Sequence, residues 1–166
     1  DADFEFLFNA WFNRGFLVLQ PISWSSPAHI LEKIIAYEAV HAIESWDDLR
    51  RRLQPRDRRC FAFFHPAMPD EPLIFVEIAL GAEIPNSIQT ILADRPDNSE
   101  VTAPTTATFY SISNCQTGLA GISFGNSLIK TVVSELRREF ESLDQFVTLS
   151  PLPQFAKWLA TQPDTE

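Results

Sequence analysis

Phe109-Tyr110-Ser111-Ile112-Ser113 reads as a strand, Thr117-Gly118-Leu119-Ala120-Gly121-Ile122-Ser123-Phe124-Gly125 as a glycine-rich loop, and the residues from Gly125 to Phe140 as a long helix. In that helix Leu128, Ile129, Val132, Val133, Leu136 and Phe140 recur on one face. Three of the chain's five glycines fall between positions 118 and 125. Such a loop lets backbone N–H groups approach an anion, and a helix N-terminus adds partial positive charge, so a pyrophosphate would fit there. Glycines also serve plain strand-to-helix turns, and both readings stay open on these residues alone. The chain has no GxxxxGK[ST], which removes a P-loop nucleotidase.

Working outward, Phe16-Leu17-Val18-Leu19 predicts a strand stopped by Pro21. Ser26-Pro27 predicts an N-cap and first helical residue, opening a helix to Tyr37 that buries Ile30, Leu31, Ile34 and Ile35. Ser45 caps a second short helix, with Asp47 and Asp48 in its first turn and Arg50, Arg51 and Arg52 in its last. Cys60 to Phe64 and Leu73 to Leu80 predict a hairpin whose long loop holds Pro66, Pro69 and Pro72. Pro85-Asn86 opens a short helix to Ile91, and Asp94 to Thr106 is a polar loop. Gln145 to Leu149 predicts a further strand, and Pro153 to Ala160 a last helix. Mixed strands and helices of this kind predict an α+β domain with a mixed, mostly antiparallel sheet flanked by helices.

With 166 residues, 45% of them apolar, the chain can bury one core of ordinary domain size. Its formal charge of −9 argues against a general nucleic-acid binder, which needs a broad Lys/Arg surface. No run approaches the roughly 20 apolar residues of a membrane span. Asp1-Ala2-Asp3 offers no basic lead to a signal peptide. Cys60, in an apolar stretch, and Cys115, in a polar loop, are too few for a disulfide scaffold or zinc site and read as reduced thiols. His29, His41 and His65 show no metal-ligand spacing and read as surface or structural residues. Arg50, Arg51, Arg52, Arg56, Arg58 and Arg59 form one basic cluster, which reads as a solvated helix end or, failing that, an anion-binding patch. Ser150, in Leu149-Ser150-Pro151-Leu152-Pro153, is either an ordinary helix cap or a serine held at a strand end by two prolines. No GxSxG elbow surrounds it.

Five blocks occur in an order that carries a resemblance. They are Tyr37-Glu38-Ala39-Val40-His41, His65-Pro66 with Pro69-Asp70-Glu71-Pro72-Leu73, Phe109 to Ser113, Gly121 with Gly125 and Leu128-Ile129-Lys130, and Leu149 to Phe155. Together, over about residues 13–159, they resemble malonyl-CoA decarboxylase. The resemblance implies a GNAT-like acyl-CoA-binding fold, in which a sheet opens in a V to admit an acyl-CoA. It implies that Ala120, Gly121, Ile122, Ser123, Phe124, Gly125 and Asn126 hold the CoA pyrophosphate. The general acetyltransferase pattern [RQ]-x-x-G-x-[GA] would fall on Ala120 to Gly125, and only Gly125 fits it.

The implied reaction converts malonyl-CoA to acetyl-CoA and CO2 without metal or organic cofactor. Departing CO2 leaves a thioester enolate that must be stabilised and then protonated. Ser150 matches the serine of the family's S-P-[IL]-P block, which implies that it orients the malonyl carboxylate and takes part in proton transfer. The family pairs that serine with a histidine well downstream, which none of His29, His41 and His65 matches. Residues 1–166 are therefore expected to be a partial catalytic domain, inactive alone, without the family's N-terminal helical domain and C-terminal part. An acyltransferase or a non-catalytic acyl-CoA-binding fragment is the alternative. A homo-oligomer in a bacterial cytoplasm (mitochondrial, peroxisomal or cytosolic if eukaryotic), with no nucleic-acid or membrane partner, is expected. The aromatics from Phe4 to Trp11 are candidates for its contacts or for packing on the missing helical domain.

Overall fold

The structure, a computed structural model, describes residues 16–93, 103–116, 125–152 and 154–162. Strand β1 (Val18–Ile22) is followed by helices α1 (Ala28–Tyr37) and α2 (Trp46–Leu53). Strands β2 (Arg58–His65) and β3 (Met68–Gly81), helix α3 (Ile88–Leu92) and strand β4 (Thr106–Asn114) come next. Helix α4 (Gly125–Glu139), strand β5 (Gln145–Thr148) and helix α5 (Phe155–Leu159) complete the order. The strands form one sheet in the order β1-β2-β3-β4-β5, antiparallel until the last pair, β4 and β5, which is parallel.

The near-continuous apolar runs of β2 and β3 reflect a sheet covered on both faces. In β2 the two-residue period sends Phe61 and Phe63 to one face and Cys60, Ala62 and Phe64 to the other. The first face packs against Leu128, Val132 and Leu136 of α4. The second packs against Ile30, Leu31 and Ile34 of α1 and Leu49 and Leu53 of α2. The predicted stripe of α4 is therefore its core face.

Several local expectations are corrected. Pro21 lies inside β1, paired with Phe61, because β1 is the sheet's edge and needs no N–H from that residue. Ser26 does not cap α1: its Oγ accepts the Ser23 N–H at 3.0 Å, and Pro27 occupies the cap position. Ser45 does cap α2, accepting from the Asp48 N–H at 3.1 Å. The cap of α3 is Ser87, which accepts from Thr90 N–H, so that helix starts later than Pro85-Asn86 implied.

The β2–β3 loop is shorter than its prolines suggested, since His65 already pairs with Met68. The surplus residues are absorbed as a register shift, with Phe64 opposite Pro72. Glu71, within that irregular stretch, is tied to α1 by Lys33 and by the Tyr37 hydroxyl at 2.6 Å. Cys115 is buried in the α1–α2 core rather than set in a polar loop, because its N–H continues the β3–β4 pairing by donating to Leu73 at 2.9 Å. Cys60 and Cys115 are both free thiols. The residues before position 16, with their aromatics, lie outside the described residues.

Candidate functional site: the opening between strands β4 and β5

The parallel ladder is short. Thr106 to Phe109 of β4 pairs with Gln145 to Thr148 of β5, and Leu149 N–H donates to the Phe109 carbonyl at 2.9 Å. Strand β4 then continues to Asn114, while β5 ends at Thr148. Five residues of β4, Tyr110 to Asn114, thus run on past the ladder.

A bulge sits at this divergence. On the β3 side Ile78 faces Phe109 and Glu77 faces Ser111, so Tyr110 is the extra residue. Its side chain packs with Ala79 and Ile91, while Ser111 turns toward α1, where its Oγ lies 2.7 and 2.9 Å from the two oxygens of Glu38. Leu149 packs against the same cluster as Tyr110.

Ser150 lies two residues past the last paired residue of β5 and is exposed. Among the described residues its hydroxyl has no hydrogen-bond partner. The capping alternative fails, because α5 begins only at Phe155, after Gln154 in a left-handed conformation (φ 67°). Ala120, Gly121, Ile122, Ser123 and Phe124 lie outside the described residues. Gly125 and Asn126 form the first turn of α4, the expected helix start. The segment entering the loop is held: Gln116 N–H donates to Asn114 Oδ1 at 3.0 Å, and Gln116 Nε2 donates to Glu71 Oε1 at 3.1 Å.

Beneath the divergence lies a buried polar layer that sequence reasoning did not single out. Glu38, Arg52, Glu77, Ser111 and Ser113 are all buried. Burial pushes the Glu77 carboxyl up to about 8, against the pull of Arg52 and with Glu38 adding to the rise. Burial likewise raises the Tyr110 phenol, and the nearby Glu77 raises it further. Glu77 Oε1, Arg52 Nε, Tyr110 Oη and His41 Nε2 are buried without a hydrogen-bond partner among the described residues. One charged residue inside Leu73-Ile74-Phe75-Val76-Glu77-Ile78-Ala79-Leu80 was the available signal for this layer.

The arginine cluster divides: Arg50 and Arg51 form the expected solvated end of α2, while Arg52, Arg58 and Arg59 are drawn into ion pairs. Arg52 and Arg58 are buried; Arg58 pairs with Asp57 at 2.6 Å and donates to the Ile91 carbonyl. Arg59 pairs with Glu139 and lies 5.0 Å over the Phe140 ring, and Arg51 meets Asp48. His29 pairs with Asp70 at 3.2 Å on the surface, and His65 Nδ1 accepts the Ala67 N–H in the hairpin turn. Those two are structural, as expected. Among the described residues no group of three or more His, Cys, Asp or Glu side chains is placed to hold a metal. A cavity of about 650 Å³, lined by Arg58, Ala79, Thr108 and Ile91, lies by α3 against the paired part of β4, away from its free end.

A short parallel ladder thus ends beside a bulged strand, with α4 connecting the two strands. Comparison with known proteins settles which group this one joins. The family model for the malonyl-CoA decarboxylase C-terminal domain matches residues 15–166. The chain belongs to the malonyl-CoA decarboxylase family. Among relatives of that family, the mitochondrial malonyl-CoA decarboxylase of Anser anser anser is 46% identical over 155 residues, 92% of this chain and 31% of its own length. The crystal structure of malonyl-CoA decarboxylase from Agrobacterium vitis is 62% identical and superposes with a TM-score of 0.90, over 96% of this chain and 39% of that one. The Rhodopseudomonas palustris structure is 60% identical with a TM-score of 0.87, over 99% and 41%. The chain thus spans about a third of the length of the curated decarboxylase it matches. A ribosomal-protein-alanine N-acetyltransferase from Brucella melitensis, at 14% identity and a TM-score of 0.54, shares the fold, which makes this a GNAT-like member of the α+β class. No helix among the described residues is long and apolar enough to cross a membrane.

Proposed function

We propose that the protein decarboxylates malonyl-CoA to acetyl-CoA and CO2, with the acyl thioester in the opening between β4 and β5. The observation that carries this reading is the place of Ser150, exposed and without a hydrogen-bond partner among the described residues, two residues past the final ladder residue, where β4 is bulged and runs on without β5. The bond between the methylene carbon and the carboxylate breaks, its electron pair moves onto the thioester carbonyl, and CO2 leaves. The resulting enolate then takes a proton at carbon. Ser150 orients the departing carboxylate and takes part in the proton transfer; no acyl-enzyme is needed, so it does not act as a covalent nucleophile. Residues 120–126, at the entry to α4, hold the CoA pyrophosphate through backbone N–H groups and the helix N-terminus.

No metal or organic cofactor enters this scheme, because the thioester carbonyl itself accepts the electron pair. None of the three histidines of this chain is assigned the proton donor's role, so residues 1–166 alone are expected to bind CoA without turnover. The protein is further proposed to be a homo-oligomer of the bacterial cytoplasm.

The test is chromatography with mass detection after incubation with malonyl-CoA, run on residues 1–166 and on the protein at its full natural length. Acetyl-CoA formed by the full-length protein supports the reading. Free CoA, released faster when an amine or thiol acceptor is added, would replace it with an acyltransferase. CoA retention with an unchanged substrate peak at full length would replace it with a binding module.

A further inference from the structure

Glu38 closes α1, where the backbone leaves the helix for an extended conformation (φ −66°, ψ 105°). Its carboxylate folds back over the corner that follows. Oε1 accepts from the N–H groups of Val40 at 2.8 Å and His41 at 2.9 Å. The same carboxylate accepts the Ser111 hydroxyl, 2.9 Å from Oε1 and 2.7 Å from Oε2. Alongside, Ala39 N–H donates to Ser113 Oγ at 3.4 Å, and the two serine hydroxyls lie 3.3 Å apart. Glu38 is 8% exposed and Ser111 and Ser113 are each 1% exposed, so water does not compete for these bonds.

A corner after a helix can be closed by a local side chain alone. Here the carboxylate reaches 73 residues along the chain, to the stretch of β4 that has lost β5 as a neighbour. Ser111 is two residues past Phe109, and Ser150 is two residues past Thr148, the partner of Phe109. Ser111 thus lies on the β4 arm beyond the ladder and Ser150 on the β5 arm beyond it. One is buried and tied to Glu38; the other is exposed.

We propose that Glu38, acting through Ser111, is a positioning residue for the reaction: it sets the β4 arm of the opening against Ser150. This rests on the reading of the opening as the acyl site. Moving one arm changes the distance between Ser150 and the carboxylate it must meet, and a displacement of about 1 Å is enough to lower a rate by roughly 10²-fold. The CoA nucleotide is proposed to sit at the start of α4, which packs on the Phe61 and Phe63 face of the sheet, whereas Glu38 joins Ser111 on the α1 side, so its binding is expected to change little.

The experiment uses the full-length protein and its Glu38→Gln, Ser111→Ala and doubly substituted forms. Initial rates of acetyl-CoA formation, equilibrium CoA binding and thermal midpoints are measured on each. The expected result is a kcat lowered roughly ten- to a hundredfold in both single variants, with KM and CoA affinity within about threefold. The double variant should be no slower than the slower single one, because both changes cut one link. Ser111→Ala keeps Glu38 on Val40 and His41, so it decides the matter even where Glu38→Gln does not fold. A kcat within twofold of wild type in a folded single variant overturns the proposal, as do losses that multiply in the double variant. A kcat loss matched by loss of CoA affinity and of the thermal midpoint overturns it too, in favour of a purely structural link. A wild-type protein that forms no acetyl-CoA overturns the acyl-site reading itself, and this proposal with it.

Discussion

Arg52 Nη1 donates to Glu77 Oε2 across 3.2 Å in a layer where both side chains are buried, yet Glu77 Oε1 and Arg52 Nε have no partner among the described residues. The pair is thus half satisfied. Each orphaned atom in such a place costs about 1–3 kcal/mol, and the carboxyl responds by keeping its proton up to about pH 8.

That shift has a direction in stability. The unfolded chain releases the Glu77 proton near the ordinary value of 4.5, whereas the folded chain holds it to about 8. The native state therefore binds more protons across that window, and stability falls as pH rises through it. Below about 4.5 the contribution is intact, and above about 8 it is lost. Glu77→Gln should gain in urea midpoint relative to wild type from pH 5 to pH 8 and change little beyond. Arg52, Glu38 and Asp48 surround the group in both proteins, so the difference between the two curves isolates it. A constant gap across pH would mean that Glu77 is ionised throughout.

Ser150→Ala in the full-length protein should cut turnover by roughly 10²-fold or more while CoA affinity holds. Its hydroxyl bonds no described residue and its surface is open, so the fold should not register the loss. Turnover within about twofold of wild type would remove Ser150 from the mechanism.

Glu71 accepts the Tyr37 hydroxyl at 2.6 Å, and that hydrogen bond is the main reason the phenol titrates above its ordinary 10. The chain has two tyrosines, and burial lifts Tyr110 well above its ordinary value of 10, so the first phenolate signal of residues 1–166 is expected from Tyr37. Glu71→Gln should move that signal to lower pH in an ultraviolet titration, because the neutral amide stabilises the phenol less against ionisation. A signal that stays in place would place the Tyr37 shift on burial alone.

Cys60 and Cys115 should both resist a thiol reagent at pH 7 to 8 in the folded protein. Burial is the main cause in each: it raises Cys60 well above its ordinary value and pushes Cys115 up to about 12, leaving almost no thiolate. Urea should expose both to reaction at once. Prompt labelling of the native protein would show that the α1–α2 layer opens locally.

Phe109 is 2% exposed and sits between the sheet and α4 at the last rung of the β4–β5 ladder. Phe109→Ala should cost about 3–5 kcal/mol in denaturant unfolding. Leu136→Ala, on the facing helix, should cost about 2–5 kcal/mol. A loss under about 1 kcal/mol at Phe109 would mean that the core closes over the gap.

Much of this was legible along the chain. Helix α4 announced itself through Leu128, Val132 and Leu136, and α2 through Ser45 and its charges, because caps and apolar stripes are local properties. Pro21 and Pro72 misled for a related reason: a proline forbids a ladder bond only where a neighbour needs that N–H, and the sheet edge and the register shift spare it. Arg52 and Arg59 misled because their partners, Glu77 and Glu139, lie far away in sequence.

The candidate site divides in the same way. Ser150 was found through a block of neighbouring residues, Ser-Pro-Leu-Pro, that can be read without any fold. Glu38 and Ser111 stood in blocks that carried the family resemblance, but nothing in either block tells that one side chain reaches the other.

Sequence by itself determined the α+β class, the order of elements and the family, and it named Ser150 as a candidate, since all of these rest on short-range pattern. Tertiary structure alone decided where β5 stops following β4, that Tyr110 is the extra residue there, and that a carboxylate from α1 holds the strand beyond it. Those outcomes depend on register between strands and on contacts dozens of residues apart. A difference of one residue in pairing would turn Ser111 to the opposite face of the sheet, and no local pattern of residue types records that choice.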